Sequence, residues 1–203
     1  MADLAAISEL LQKGKAKDVR AKVEEALNEG VSPEQILNKG LVAGMAVVGE
    51  KFKNNEIYVP EVLIAARAMN KALEVLEPKL VASGVKPVGK LAIGTVKGDL
   101  HDIGKNLVAM MFKGAGFEVI DLGIDVSPEQ FVSSAKEKGA ELIACSALLT
   151  TTMPAMKDVC ALVKKEGLKT KVLIGGAPVT QAYADEIGAA GYAADAASAV
   201  DVG

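Results

Sequence analysis

The spacing of apolar residues changes part of the way along the chain. Up to about residue 85, apolar side chains recur every three or four positions, which is the period of an amphipathic helix. From about residue 90 onward they gather in short unbroken runs, which favour buried β-strands. The two patterns predict a helical domain over residues 1–85 and an α/β domain over residues 86–203.

Capping and breaking residues divide the first part into four helices. The third helix opens with Ser32 as its N-cap and Pro33 at its first position. It is rich in small residues that would let a neighbouring helix approach closely: Gly40, Ala43, Gly44 and Ala46. The fourth helix opens with Pro60 and is expected to end before Pro78. Short connections between four helices predict a bundle, and the stretch 81–90, which contains Gly, Ser and Pro, is typical of a linker.

Short β-prone runs alternate with helical patterns in the second part. The strand candidates are "KLAIGTV", "EVIDLG", "ELIACSA", "KVLIGGA" and a weak fifth, "GYAAD". Apolar strands that alternate with helices predict a parallel sheet covered on both faces. We therefore expect a flavodoxin-like (Rossmann-like) α/β domain with five parallel strands in the order 2-1-3-4-5.

The predicted strand order brings three unusual loops to one edge of the sheet. Ligands of such sheets bind at the carboxyl ends of the strands, beside the point where the strand order reverses. The loops there are "KGDLHDIG" after the first strand, "SALLTTTM" after the third and "GGAPVT" after the fourth. His101, which is the only histidine of the chain, should therefore lie near the hydroxyl-rich run 146–152 and near the Gly175–Gly176 pair.

Composition excludes several classes of protein. The net charge of −3, with interspersed signs, argues against a nucleic-acid surface. No apolar run is long enough to predict a membrane span, and no signal peptide is evident at the start of the chain. Cys145 and Cys160 form no Cys-x-x-Cys motif, so we expect two reduced core thiols and a cytoplasmic protein.

The sequence argues against two common kinds of site at this edge, a phosphate-binding loop and a Ser-His-Asp hydrolase. The stretch from Gly98 to Lys105 has the wrong spacing for a phosphate-binding loop, and Asn106 stands where such a loop needs Ser or Thr. A Ser-His-Asp hydrolase would need Ser146 or Thr152 near the histidine, and no Gly-x-Ser-x-Gly motif is present.

A third possibility is a metal that a cofactor carries. Such a metal needs a single protein ligand, and His101 could supply it. Asp99 lies two residues before it and could accept a hydrogen bond from the other ring nitrogen, which fixes the tautomer. An incidental, solvated loop histidine remains the simplest alternative.

The motifs of these three loops resemble those of a known family. "GDLHDIGKN" carries Asp-x-His-x-x-Gly, "SALL" carries Ser-x-Leu, and "GGA" carries the Gly-Gly pair. Together they resemble the cobalamin-binding domain shared by methionine synthase, cobalamin-dependent mutases and small corrinoid proteins. The stretch "VGEKFKNNEIYVPEVLIAARAMNKALEVLEP" is similar to the helical cap of methionine synthase and of the small corrinoid proteins, so the resemblance covers nearly the whole chain.

The resemblance implies a methyl carrier of anaerobic one-carbon metabolism rather than an enzyme that acts alone. A substrate:corrinoid methyltransferase would load a methyl group onto the cobalt of a bound cobalamin. A second methyltransferase would pass it to tetrahydrofolate or a thiol, and a reductive activase would restore the reduced cobalt. The cofactor would be base-off and His-on, and it would be methylcobalamin in the loaded state.

The resemblance also implies which residues form the site. His101 would be the axial ligand of cobalt, Asp99 its hydrogen-bond partner, and Thr152 the hydroxyl that continues this relay. The residues that would contact the cofactor are Gly98, Asp99, Leu100, His101, Asp102, Ile103, Gly104, Ser146, Leu148, Thr150, Gly175, Gly176 and Ala177, with Phe52 and Val59 of the cap over the methyl face. The three glycines Gly104, Gly175 and Gly176 would leave a slot for the nucleotide tail.

Two other functions share these loops. A subunit of an adenosylcobalamin-dependent mutase would carry the same motifs, although the methyl-type cap argues against it. A cobalamin-based light sensor is the other alternative, and it would be expected to have a Trp in the cap, which this chain lacks.

Overall fold

The chain folds into two compact units. The computed structural model describes residues 3–203. One unit ends at Val88 and also includes Gly114–Gly116, and the other contains Gly89–Lys113 and Phe117–Gly203.

The first unit is helical. Its elements are α1 (Leu4–Gln12), α2 (Ala16–Asn28), α3 (Pro33–Gln35), a π-helical segment (Ile36–Val42), α4 (Ala43–Lys53) and α5 (Val59–Ala82). The π-helical segment joins α3 to α4 without a break, so the described part of this unit has the four helical rods that the apolar spacing predicts. Ser32 caps the third rod, because its side chain accepts a hydrogen bond from Gln35 N.

Two glycines let helices of this unit approach closely. A Cβ at Gly40 would lie 3.0 Å from Ile7 Cγ2, and one at Gly44 would lie 3.1 Å from the carbonyl oxygen of Ser8. The third rod therefore lies directly against α1, as the small residues predict. Ala43 and Ala46 belong to the same small-residue set but are exposed.

The predicted end of the fourth rod is wrong. Pro78 lies inside α5, and the helix continues for another turn beyond it. Proline removes one intrahelical hydrogen bond, because it has no N–H. Leu80 is buried in the additional turn, and the Ser83 hydroxyl donates to the carbonyl of Lys79 at 2.7 Å. Burial of an apolar side chain and this C-terminal cap offset the lost bond.

The second unit is a five-stranded parallel sheet with helices between its strands. The strands are β1 (Lys90–Thr95), β2 (Glu118–Asp121), β3 (Leu142–Ser146), β4 (Lys171–Gly175) and β5 (Gly191–Ala193), in the spatial order β2-β1-β3-β4-β5. The helices are α6 (Ile103–Gly114), α7 (Pro128–Lys138), α8 (Pro154–Lys165), α9 (Gln181–Ile187) and α10 (Ala196–Val202). The predicted flavodoxin-like order is confirmed, whereas α10 was not predicted.

Both faces of the sheet are buried. Ala92 of β1 belongs to a cluster that includes Phe131 of α7 and Met156 of α8. The neighbouring Leu91 belongs to a second cluster, which includes Phe112 of α6. Successive strand residues point to opposite faces, so the continuous apolar runs follow from burial on both sides.

The two cysteines belong to the first of these clusters. Cys145 and Cys160 are both free thiols and both buried, as predicted for core residues. Burial raises the pKa of Cys160 to about 11, so this thiol is protonated near neutral pH.

Across residues 3–203, no helix is both long enough and apolar enough to cross a bilayer.

Replacement of Phe131 by Ala should destabilise the sheet unit. The ring is fully buried, and it lies so close to β1 that a Cβ at Gly94 would come within 2.9 Å of Phe131 Cζ. We expect a loss of ~3–5 kcal/mol in the free energy of unfolding, measured by urea denaturation and far-ultraviolet circular dichroism. Phe131→Leu, which fills most of the same volume, should lose clearly less. A loss below about 1 kcal/mol for Phe131→Ala would contradict this packing.

Candidate functional site

Three strands of the sheet end in register at its carboxyl edge. Thr95, the last residue of β1, is paired with Ser146, the last residue of β3, and Ser146 is paired with Gly175, the last residue of β4. The loops that follow these strands therefore start side by side. This is the edge at which the sequence places the three unusual loops.

The loop after β1 is folded back on its own strand. Gly98 has a φ of +83°, a conformation that glycine adopts without strain. The buried hydroxyl of Thr95 donates a hydrogen bond of 2.7 Å to the carbonyl oxygen of His101. The strand end thus holds the backbone of the histidine directly.

Asp99 is a fully buried carboxylate at the centre of this edge. Its Oδ1 accepts from the His101 ring nitrogen Nδ1 at 2.7 Å and from His101 N at 3.1 Å. Its Oδ2 accepts from Leu148 N at 2.8 Å, from Leu149 N at 3.3 Å and from the Thr152 hydroxyl at 2.8 Å. The carboxylate therefore joins the loop after β1 to the loop after β3. We refer to Asp99, His101 and Thr152 as the Asp99 relay.

The hydrogen bonds keep Asp99 ionised. Burial by itself raises the pKa of the carboxyl group. The bonds donated by Leu148 N, by the His101 ring and backbone, and by Thr152 outweigh that effect and hold the pKa of Asp99 well below its usual range. At neutral pH the group is a carboxylate that can only accept hydrogen bonds.

An ionised Asp99 determines which nitrogen of His101 is available. Because the carboxylate has no proton to donate, Nδ1 must carry the hydrogen in the bond between them. In the neutral ring, Nε2 is then the nitrogen with a free lone pair. The His101 side chain is 50% exposed while Asp99 is 0% exposed. The arrangement is a half-exposed imidazole whose second nitrogen is anchored by a buried acid, which is how proteins orient metal-ligating histidines.

The loops after β3 and β4 are held together by backbone contacts. Ala147 N donates to the carbonyl oxygen of Gly175 at 3.2 Å. Gly176 has a φ of +129°, and a Cβ there would overlap the carbonyl oxygen of Ala147. Glycine at position 176 is thus required by the protein's own backbone.

Exposed apolar side chains lie near the relay along the chain. They are large residues of the loops after β1, β2 and β3 and of the start of α6: Leu100, Ile103, Ile124, Leu148 and Leu149. Leu100 and Ile103 lie within two residues of His101. Ile124 is next to Asp125, whose N–H donates to the carbonyl oxygen of Asp99, and Leu148 and Leu149 donate their own backbone N–H groups to the Asp99 carboxylate. This edge offers a ligand an apolar surface beside the half-exposed imidazole.

The other residues predicted for the site are distributed along the same edge, with two exceptions. Ser146 is partly buried at the end of β3, and Thr150 and Ala177 are exposed in their loops. Gly104 is exposed in the first turn of α6, where a Cβ would meet no atom within 4 Å. Asp102 is exposed and accepts a hydrogen bond from Asn106 Nδ2, so it is not part of the relay.

Phe52 and Val59 are the two exceptions. Both are partly buried residues of the helical unit, Phe52 in α4 and Val59 at the start of α5. Their assignment to the site stays a prediction.

The motifs did not reveal some contacts in and beside the loop after β2. Asp125 accepts a hydrogen bond from Gly98 N, and Lys105 at the start of α6 donates to both carboxylate oxygens of Asp121 at 2.6 Å. Lys105 is almost fully buried, so this pair fixes the start of α6 to the end of β2. The strand order could have pointed to these residues, because the loop after β2 reaches the same edge of the sheet.

Comparison with known proteins agrees with this geometry. A family model described as a B12 binding domain matches residues 89–201, and a second model with the same description matches residues 4–77. The chain is 48% identical to dimethylamine corrinoid protein 3 of Methanosarcina acetivorans over 188 residues, which covers 92% of this chain and 88% of the relative.

Two solved structures are similar over nearly the whole chain. A cobalamin-binding protein from Desulfitobacterium hafniense aligns with a TM-score of 0.82 at 30% identity and covers 100% of this chain and 97% of its own. The methanol:cobalamin methyltransferase complex MtaBC from Methanosarcina barkeri contains a chain that aligns with a TM-score of 0.85 at 30% identity, covering 96% of this chain and 75% of that one.

The parallel sheet, the histidine loop at its edge and the match of the B12 binding model together define a B12-binding protein. More narrowly, the chain belongs to the family of corrinoid proteins that serve methyltransferases.

Loss of the Thr152 hydroxyl should lower the free energy of unfolding of the apoprotein. Thr152→Val keeps the shape of the side chain but leaves Asp99 with one donor fewer in a buried position. We expect a loss of ~1.5–3 kcal/mol in the free energy of unfolding, measured by urea denaturation without any ligand. Thr152→Ser keeps the donor and should lose clearly less. A loss for Thr152→Val that is no larger than the loss for Thr152→Ser would contradict a stabilising role of this hydrogen bond.

Proposed function

We propose that this protein carries a methyl group on a bound corrinoid between two methyltransferases, with Nε2 of His101 as the protein ligand of cobalt. The observation that carries the proposal is the bond between His101 Nδ1 and the buried, ionised Asp99. That bond leaves Nε2 as the nitrogen with a free lone pair, on a ring that is half exposed at the ligand-binding edge of the sheet.

The residues at the edge fit a corrinoid bound in the base-off, His-on form. A corrinoid without its own base would take one nitrogen ligand from the protein, and the methyl groups of its ring could contact apolar side chains. The edge offers one nitrogen ligand with exposed Leu and Ile side chains beside it. When bound, the corrinoid supplies a cobalt ion that can accept a methyl group and release it again.

The protein's own contribution is to orient and tune the imidazole. Asp99 holds the hydrogen on Nδ1 and makes the ring a stronger electron donor at Nε2. Thr152, together with the backbone of Leu148 and Leu149, keeps Asp99 in place. In the proposed carrier these bonds position the ligand in each round of transfer.

The remaining predicted contacts would hold the nucleotide tail and the margin of the ring. Gly104 faces open space at the start of α6, and Ser146 and Thr150 place hydroxyl groups in or near the loop after β3. Gly98, Leu100, Asp102, Ile103 and Leu148 flank the histidine in the proposed site, and Gly175, Gly176 and Ala177 complete it in the loop after β4.

The helical part is proposed as the cap of the methyl face. Residues 1–85 would form the cap, with Phe52 and Val59 toward the cofactor, and residues 86–203 would bind the cofactor. The match of a B12 binding model to residues 4–77 supports a cofactor-related role for the helices.

The partners are proposed from the relatives. A relative that is 48% identical to this chain is named for dimethylamine, so we propose a methylated amine as the methyl donor and an amine:corrinoid methyltransferase as the first partner. A second methyltransferase would move the methyl group to tetrahydrofolate or a thiol, and a reductive activase would return oxidised cobalt to its reduced state.

Isotope labelling of the single histidine tests the cobalt ligand directly. The chain has one histidine, so untagged protein grown with nitrogen-15 histidine is labelled at one imidazole only. In the electron paramagnetic resonance spectrum of the reduced Co(II) holoprotein, the axial-nitrogen splitting should change from the nitrogen-14 to the nitrogen-15 pattern. His101→Ala should lose that splitting. A splitting that the label leaves unchanged would show that the cofactor's own base is the ligand.

Methyl loading tests the proposed donor. Holoprotein with reduced cobalt is mixed with a dimethylamine:corrinoid methyltransferase and dimethylamine, and methylation of the corrinoid is followed by its visible spectrum. We expect loading in this mixture and none in a parallel mixture of methanol with a methanol:corrinoid methyltransferase. Asp99→Asn should lower the loading rate ~10–100-fold, since it removes the negative charge that fixes and polarises the imidazole. Loading in a methanol system alone would overturn the amine proposal and leave the carrier proposal standing.

A further inference from the structure

Backbone hydrogen bonds join the loop after β2 to the end of β1 and to the start of the loop that carries the histidine. Thr95 N donates to the carbonyl of Gly123 at 3.0 Å, and Val126 N donates to the carbonyl of Thr95 at 2.9 Å. Val96 and Val126 form an isolated parallel bridge just beyond these bonds. The pairing of β1 with β2 therefore continues past the strand ends and into the candidate site.

Asp125 contacts the histidine loop at three points. Its Oδ1 accepts from Gly98 N at 2.8 Å, and its Oδ2 accepts from Lys97 Nζ at 3.1 Å. Its own backbone N–H donates to the carbonyl oxygen of Asp99 at 3.1 Å. The N–H of Gly98 and the C=O of Asp99 lie at opposite ends of a two-residue segment. Asp125 therefore holds the backbone before and after the Cα atom of Asp99, which bears the relay carboxylate.

The backbone of Asp125 is in a conformation that most residues with a side chain avoid. Its φ is +54°, in the left-handed region that glycine and asparagine enter most easily. Glycine at this position would be without strain but would have no side chain to accept from Gly98. The hydrogen bond from Gly98, and then the one from Lys97, lower the pKa of Asp125, so the accepting group is a carboxylate at neutral pH.

The relay depends on accurate placement of Asp99. Its two oxygens meet donors from its own loop and from the loop after β3 at between 2.7 and 3.3 Å. Rotation of the 98–99 segment would carry the carboxylate away from these donors. The contacts of Asp125 with both ends of that segment oppose such a rotation.

We propose that Asp125 is a positioning residue for the cobalt ligand: it fixes the backbone at positions 98 and 99 so that Asp99 meets His101 and the imidazole keeps its orientation. The inference rests on the proposed role of His101 and adds to it a residue outside the Asp-x-His-x-x-Gly motif. Asp125 acts through the backbone and does not itself contact the ring.

Three variants separate the possible contributions of Asp125. Asp125→Gly and Asp125→Asn both tolerate a positive φ, but only the Asn variant keeps an oxygen that can accept from Gly98 N. The difference between them measures the hydrogen bond and not the backbone strain. Lys97→Met is the matched control, because it removes the bond to Oδ2 and leaves the bond to Oδ1 in place.

Two readouts are used with full-length protein. The first is the amide hydrogen exchange of Gly98 in the apoprotein, measured by nuclear magnetic resonance. Asp125→Gly should speed this exchange about tenfold, whereas Asp125→Asn and Lys97→Met should stay close to the wild type. The second is the affinity for hydroxocobalamin, followed by the nitrogen-15 splitting described above after the bound cofactor has been reduced to Co(II). Asp125→Gly should bind about tenfold more weakly, a change of ~1.4 kcal/mol, with a smaller fraction of imidazole-coordinated cobalt.

The outcomes distinguish this inference from the proposed function. If wild-type protein shows the histidine splitting and Asp125→Gly matches Asp125→Asn in affinity and coordinated fraction, the positioning role is wrong. If Gly98 exchange is equally slow in all variants, the contact with Asp125 does not hold the loop, and the inference fails even without a cofactor. If the wild type itself shows no histidine splitting, the proposed ligation fails first, and the positioning role falls with it.

Discussion

The structure of this site depends on burial of one carboxylate. Asp99 is fully enclosed, and an ionised group can be buried only if hydrogen bonds replace the water it loses. The replacement comes from the His101 ring and backbone and from three groups of the loop after β3. Neither loop can move without exposing the Asp99 carboxylate to water or leaving it buried with too few hydrogen-bond donors. The orientation of the imidazole is therefore coupled to the stability of the sheet unit itself.

The parallel sheet makes this meeting possible. Thr95, Ser146 and Gly175 end their strands in register, so each following loop starts within reach of the next. Gly176 lies against the carbonyl of Ala147, where no side chain fits, and this contact holds the loops after β3 and β4 together. Lys105 and Asp121 fix the start of α6 to β2. The chemistry-bearing side chains are few, and most of the surrounding contacts are made by backbone atoms.

Much of this could be predicted from the chain alone, and what could not has physical causes. Apolar runs alternating with helical patterns predicted the strand order, and that order predicted which loops meet. The continuation of α5 past Pro78 was missed because burial of Leu80, a tertiary effect, offsets a local penalty. The short helix α10 was missed because it is Ala-rich and has no clear apolar stripe. Asp125 was missed because its function depends on a positive φ and on backbone partners, neither of which leaves a motif.

The bond between Asp99 and His101 has a consequence for how a ligand arrives. The protein's own carboxylate turns the ring and selects its tautomer, so neither depends on the incoming molecule. A ligand that approaches Nε2 meets a rigid donor and does not bear the entropic cost of ordering a mobile loop. In the proposed carrier, preorganisation of this kind would leave the slow step of uptake with the incoming corrinoid, which would have to release its own base before the imidazole could replace it.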